Sequence, residues 1–179
     1  MPTAQIIRER PTAPIPEVAF DAIGNCLWVL FEDDEFRTWC GIFGAGELHY
    51  EGKLQHLTND DYFVLTRGRL YRLNANTRSL VFASEERMLT DAIYVPSHDL
   101  VIACGFTNLF GYYADGTKWR SDRVSFDGIT LDRVDDDSVH GFVDDLNEVG
   151  TPFKLYLKGM RIESDVDRSI FSMLPLRDR

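Results

Sequence analysis

The chain has 179 residues, of which 44% are hydrophobic and 12% aromatic, and its net charge is −10. This length and composition predict one folded globular domain and exclude a disordered chain. No apolar run approaches the ~20 residues of a membrane-spanning helix, and an acidic surface repels the phosphates of nucleic acids. We therefore expect a protein that binds neither membranes nor nucleic acid.

The N-terminal residues and the cysteines predict a domain boundary and a compartment. Residues 1–16 contain four of the seven prolines and no apolar segment of the secretory type, so we predict a flexible arm followed by a single domain at residues 17–179. The chain has an odd number of cysteines without CxxC spacing, namely Cys26, Cys40 and Cys104. This argues against a disulfide framework and against a zinc site. We expect reduced thiols in a cytoplasmic protein without a metal or a cofactor.

Short apolar strands alternate with polar turns along the rest of the chain. The clearest strands are predicted at residues 27–31, 62–65, 100–102 and 139–143. Equivalent positions in these strands, Trp28, Val64, Val101 and Val139, lie 36, 37 and 38 residues apart. A turn rich in Asn, Asp or Ser precedes each strand, because these side chains hydrogen-bond their own backbone. The spacing predicts a repeated structural unit.

Each predicted unit contains four short strands. A further strand lies before each turn, the first of them at Val18–Phe20, and a hairpin follows each apolar strand. In the first unit the hairpin is predicted to end in a strand at Leu48–Tyr50, and in the third it turns at Asp115–Gly116, a strong hairpin signal. If the units close into a ring, residues 17–20 are expected to complete the last unit.

The run AIYVPSHDLVIACGFTNLFGYYADGTKW, residues 92–119, resembles a β-propeller repeat of the NHL or PQQ type. In such repeats a strand, an Asp/Pro/Gly turn, an inner strand and a hairpin follow one another. The resemblance implies an all-β, propeller-like fold of about four units of four antiparallel strands. A β-sandwich, a barrel or an open β-array has the same density of strands, so these alternatives stay open.

Helical signals are few. Residues 84–89 are predicted to form one helical turn with Ser84 as its N-cap. The tail at residues 165–174 is predicted to form another, because its apolar residues recur at helical spacing before Pro175.

Acidic residues are concentrated in one segment. Residues 121–150 contain nine acids against two arginines, a net charge of −7. Asp135–Asp137, with His140 nearby, is rich in the oxygen ligands of Ca²⁺ but lacks the EF-hand pattern, so we interpret it as a solvated hairpin turn. Carboxylates for glycoside hydrolysis can also be drawn from this segment, but no spacing selects a pair of them.

The densest mixture of aromatic, Arg and Asp residues starts at Trp119. We predict the ligand-binding residues there and at the histidine of the acidic segment, namely Trp119, Arg120, Asp122, Arg123, Asp127 and His140. No nucleophile motif or phosphate-binding loop occurs, so no catalytic residue is assigned. We expect a binding protein with a protein or small-molecule partner. The alternatives are an acidic inhibitor of the immunity or antitoxin kind and an Asp-dependent hydrolase of a sugar or an ester.

Overall fold

The computed structural model describes residues 2–146, 150–166 and 171. These residues form strands and turns throughout, with a short 3₁₀ turn at Pro96–His98. Within them, no helix has the length and the apolar character needed to cross a bilayer. The predicted all-β class is confirmed.

In the described part of the chain the strands form four sheets of four strands each, as the repeat spacing predicts. The first sheet contains β1 (Thr3–Ile7), β2 (Glu17–Phe20), β3 (Cys26–Glu32) and β4 (Thr38–Gly44). The second contains β5 (Lys53–His56), β6 (Asp61–Thr66), β7 (Arg69–Asn74) and β8 (Ser79–Ala83). The third contains β9 (Asp91–Val95), β10 (Leu100–Cys104), β11 (Leu109–Tyr113) and β12 (Lys118–Arg120). The fourth contains β13 (Ile129–Val134), β14 (Ser138–Val143), β15 (Thr151–Tyr156) and β16 (Arg161–Ser164).

The second, third and fourth sheets are antiparallel meanders in which each strand pairs with its neighbours in sequence. The four clearest predicted strands are β3, β6, β10 and β14, which lie at equivalent inner positions of the four sheets. The Asp115–Gly116 turn joins β11 to β12 as predicted. Its Gly116 has φ +87°, and the Asp115 carboxylate accepts a hydrogen bond from the Thr117 amide at 2.8 Å.

The first sheet departs from the predicted order, because its strands lie in the order β1-β3-β4-β2. Residues 3–7 of the expected flexible arm form an edge strand antiparallel to β3. The predicted strand Leu48–Tyr50 is absent, and β2 takes the fourth position, parallel to β4. The expectation that residues 17–20 complete the last unit is therefore wrong, since β2 belongs to the first.

The insertion of β4 between β2 and β3 depends on Gly44. The connection from β2 to β3 passes over the end of β4, and a Cβ added at Gly44 would lie 2.0 Å from the carbonyl oxygen of Asp21. Only glycine lets the two backbones approach so closely. The alternation of apolar and polar residues along a strand does not predict that the β2–β3 connection crosses β4.

The chain forms two compact units. Unit 1 comprises Met1–Thr90 and the turn Ala114–Thr117, and unit 2 comprises Asp91–Tyr113 and Lys118–Arg179. The core of unit 1 is rich in aromatic rings, with Phe31 stacked on Trp39 at 4.4 Å and Phe20 on Phe43 at 5.0 Å. The core of unit 2 is mostly aliphatic and is shared by the third and fourth sheets. The prediction of a single domain stays a prediction.

The helical turn predicted at residues 84–89 does not form. Ser84 instead closes a loop, because its hydroxyl accepts from the Leu70 amide at 3.0 Å and donates to the Glu86 carbonyl at 2.9 Å. The helix predicted for residues 165–174 falls largely outside the described residues.

Candidate functional site

The segment predicted to bind a ligand begins on β12 and continues into the loop 121–128. Trp119 lies opposite Gly111 on β11 and packs, half-buried, against the core of unit 2. The Arg120 guanidinium lies 5.6 Å from the centre of the Phe110 ring, a cation–π contact on the sheet surface. Both side chains therefore have structural neighbours within their own sheet.

Hydrogen bonds to a buried serine hold the loop 121–128 in place. Ser125 is fully buried, and its hydroxyl lies 2.6 Å from the Gly128 carbonyl and 3.1 Å from the Asp144 amide. Backbone hydrogen bonds also join the loop to Asp144. The Phe126 amide donates to the Asp144 carbonyl, and the Asp144 amide donates to the Gly128 carbonyl, both at 2.9 Å. Sequence reasoning overlooked Ser125 because one of its partners, Asp144, follows β14 and is distant in sequence.

Arg123 fastens the same loop. Its Nε donates to the Ser125 carbonyl at 3.0 Å, and its Nη2 donates to the Phe126 carbonyl at 2.9 Å. The guanidinium also lies 5.9 Å from the centre of the Phe126 ring. These contacts occupy two of the five N–H donors of the guanidinium.

The remaining predicted residues of the segment, Asp122 and Asp127, are exposed. The structure records no ion pair for either carboxylate among the described residues. The same holds for Asp136 and Asp137 in the turn between β13 and β14, which are also exposed. Four aspartates of unit 2 thus present negative charge to solvent.

The acidic triplet forms a tight turn, as interpreted from the sequence. The Asp135 amide donates to the Ser138 carbonyl at 2.8 Å, which closes the hairpin between β13 and β14. The Asp135 carboxylate is 2.6 Å from Nε2 of His140 and 3.8 Å from Nε of Arg133. Among the described residues, no group of three or more His, Cys, Asp or Glu side chains is arranged to hold a metal ion.

His140 lies on the surface of the fourth sheet. It is opposite Arg133 on β13 and Lys154 on β15, and Lys154 is opposite Glu163 on β16. Beside this row is an open groove of about 230 Å³, which Tyr156 also lines. No contact recorded for the described residues joins His140 to the segment 119–127. The predicted ligand-binding residues are thus divided among β12, the loop that follows it and the surface of the fourth sheet.

The other acids considered for hydrolysis have local roles. The Asp144 carboxylate accepts from the Leu146 amide at 2.8 Å, and the Asp145 carboxylate accepts from the Thr151 hydroxyl. These are turn contacts of the kind that short polar side chains commonly make. No observation favours two of these acids as a catalytic pair.

A polar cluster at one end of unit 1 was overlooked by sequence reasoning. In the turn between β3 and β4, the buried Asp33 carboxylate accepts from the amides of Glu35 and Arg37, both at 3.0 Å, and from Nε of Arg37 at 2.9 Å. Asn76, from the turn between β7 and β8, contacts Asp34 and Asp60 at 2.8 and 2.9 Å. The acidic run Glu32–Glu35 was the sequence signal for this cluster, but Asn76, which contacts Asp34, is distant in sequence.

These contacts set the pKa of Asp33. Burial acts to raise the pKa, while hydrogen bonds from the backbone and side chain of Arg37 and from the Glu35 amide act to lower it. The net result is a pKa below the ordinary value. The carboxylate is therefore ionised and holds the turn in one conformation.

No protein-family model matches this chain, and no curated protein matches it.

Proposed function

We propose that this is a binding protein that recognises a basic protein partner through the acidic surface of unit 2. The supporting observation is the set of four exposed aspartates, Asp122, Asp127, Asp136 and Asp137, for which the described residues provide no ion pair. Complementary charge accelerates encounter and selects partners of opposite sign. The net charge of −10 adds a long-range attraction for a basic protein.

The compartment we propose is the cytoplasm, because the three cysteines are odd in number and have no CxxC spacing, which fits a compartment where disulfides are rare. The likeness to propeller repeats of the NHL or PQQ type belongs to the same proposal, and four sheets of four strands support it. Propellers commonly carry binding surfaces, but this is an argument from fold alone.

A narrower form of the proposal is an immunity- or antitoxin-like inhibitor of a basic enzyme. The same unpaired aspartates favour it, because a nuclease that binds a phosphate backbone presents a positive surface. The two forms differ in outcome, since an inhibitor abolishes the activity of its partner and a neutral binder leaves that activity intact.

The test compares two variants with equal loss of charge. The first neutralises the proposed surface with Asp122→Asn, Asp127→Asn, Asp136→Asn and Asp137→Asn. The control neutralises four exposed acids of unit 1 with Glu9→Gln, Glu47→Gln, Glu51→Gln and Glu85→Gln. Each protein is immobilised and exposed to lysate from the source cells, and retained proteins are identified and purified.

We expect a basic protein that the wild type and the control retain and that the Asp→Asn variant releases. With that protein purified, its affinity for the Asp→Asn variant should fall at least about tenfold, or about 1.4 kcal/mol. Its affinity for the wild type should also fall as salt rises. Equal affinity for all three proteins, or the absence of any retained basic protein, contradicts the proposal.

A further inference from the structure

A proline-rich connection lies on the surface of unit 1. Residues 8–16 join β1 to β2, which lie at opposite edges of the first sheet. The connection contains three of the seven prolines of the chain, Pro11, Pro14 and Pro16, and none of its residues belongs to a strand or a helix. Its backbone is therefore open to pairing with another molecule.

The far end of the connection is fastened to the first sheet. The Arg10 guanidinium donates to the Glu17 carboxylate at 2.8 and 2.5 Å, and the Pro16 carbonyl accepts from the Cys40 amide at 2.9 Å. Residues 12–14 are exposed between these contacts. The segment is thus held at the surface before any partner arrives, which lowers the entropy lost on binding.

The spacing of three residues matches a polyproline II helix. This helix has three residues per turn, so Arg8, Pro11 and Pro14 would lie along one edge of it, whereas Pro16 would not. In the folded chain Arg8 and Pro14 are exposed and Pro11 is half-buried. Segments with the pattern Pro-x-x-Pro dock in this conformation into grooves lined by aromatic side chains.

One local change separates the present conformation of the connection from that helix. The Ile15 amide donates to the Ala13 carbonyl at 2.9 Å, which closes a three-residue turn at Pro14. The proline ring holds φ at about −65°, so the turn is an inverse γ-turn. This turn and polyproline II share the same φ and differ in ψ. Docking therefore exchanges this hydrogen bond for contacts with the partner.

The charges of the connection indicate the polar part of the partner's groove. Residues 8–16 carry Arg8, Glu9 and Arg10, a net charge of +1 in a chain of −10. Arg10 is engaged by Glu17, whereas the contact of Arg8 with Glu51 is 3.8 Å long and joins two side chains that are each 93% exposed. Such an exposed pair contributes little and exchanges readily. A carboxylate beside the groove, in bidentate geometry, is the better complement of Arg8.

We propose that residues 8–16 are a polyproline-type ligand for a protein domain whose aromatic-lined groove has a carboxylate at one end. Pro11 and Pro14 enter the groove, and Arg8 binds the carboxylate. This surface belongs to unit 1 and uses none of the aspartates of unit 2. The two proposals therefore fail separately.

The probe is a panel of purified SH3 domains, whose grooves have this chemistry, each immobilised and titrated with the full-length protein. One variant combines Pro11→Ala with Pro14→Ala, and a second is Arg8→Gln. The matched control is Pro16→Ala, which removes a proline of the same connection away from the predicted edge and keeps the carbonyl that accepts from Cys40.

The variants keep the fold testable. Proline has no amide hydrogen, so the proline variants delete no backbone hydrogen bond, although each adds freedom to the unfolded chain. Arg8 is 93% exposed, so Arg8→Gln changes the proposed site without touching the core. Melting temperatures are measured first, and binding is compared at a temperature at which all four proteins are folded.

We expect at least one domain of the panel to bind the wild type. Its affinity should fall at least about tenfold, or about 1.4 kcal/mol, for the double proline variant and for Arg8→Gln, and stay within about twofold for Pro16→Ala. Binding by no domain of the panel overturns the proposal. Equal affinity for the wild type and either site variant, or a loss for Pro16→Ala as large as that of the double variant, overturns it as well.

Discussion

Asp33 shows how one buried carboxylate can stabilise a turn. Because its pKa is lowered in the folded chain, its stabilising effect is present above the unfolded pKa of about 3.9 and is lost as the pH falls through the folded value. We expect Asp33→Asn to lower the urea midpoint at pH 7, with the deficit shrinking as the pH drops below about 4. Urea unfolding of both proteins at pH 7, 5 and 3 measures the difference in midpoint. A difference that does not change with pH would contradict the stabilising role of the Asp33 carboxylate.

Tyr71 gives the opposite pH dependence. Burial raises its pKa to about 12, and its hydroxyl donates to the Gly44 carbonyl at 2.8 Å. Because the folded pKa exceeds the unfolded value of about 10, this contribution is complete below pH 10 and declines as the pH rises towards 12.

The variant Tyr71→Phe should therefore lose about 1 kcal/mol of unfolding free energy at pH 8, the usual net effect of one hydrogen bond. The difference in unfolding free energy between the variant and the wild type should narrow at pH 11, because the wild-type tyrosine ionises there when the chain unfolds. Urea unfolding at the two pH values measures the gap. A gap that stays constant or widens would exclude Tyr71 as the titrating group.

At the scale of the element, the first sheet depends on a close backbone approach. The β2–β3 connection passes over Gly44, so Gly44→Ala forces Asp21 or β4 to move. We expect the free energy of unfolding to fall by about 1–3 kcal/mol, as for other overpacked sites.

The matched control for this change is Gly128→Ala. A Cβ at Gly128 would meet only the Asp144 side chain, at an ordinary 3.7 Å, so we expect a change within about 0.5 kcal/mol. Urea unfolding compares the two variants. Equal effects would show that the crossing over β4 does not constrain the first sheet.

The strands of the first sheet also show where local patterns stop being informative. The strands β3, β6, β10 and β14 were predicted, because apolar residues and polar turn residues are adjacent in sequence. The two edge strands of this sheet were not placed correctly: β1 came from a proline-rich segment predicted to be a flexible arm, and β2 was assigned to a different sheet position. Strand pairing is decided by long-range hydrogen bonds, which composition and alternation do not encode.

For the whole molecule, the repeat of four strands divides between two units of different core chemistry. Unit 1 packs aromatic rings and buries an ion pair between Arg72 and Asp61 at 2.8 Å, whereas unit 2 packs mainly aliphatic side chains. Each unit has a net charge of −5, and the four aspartates of the proposed surface in unit 2 are exposed. This distribution places the proposed partner surface outside the core, where charge changes should affect binding more than stability.

The amino-acid sequence by itself determined the all-β class, the unit of four strands and the acidic turn at Asp135–Asp137. Turn residues and alternating apolar residues are local signals, so they can be interpreted without a fold. Only the tertiary structure decided that Arg123 fastens a loop, that His140 lies apart from it and that Ser125 joins the loop to β14. It also decided that residues 8–16 join opposite edges of the first sheet. Each of these depends on the positions of residues distant in sequence, which are set by packing and hydrogen bonding rather than by the neighbours along the chain.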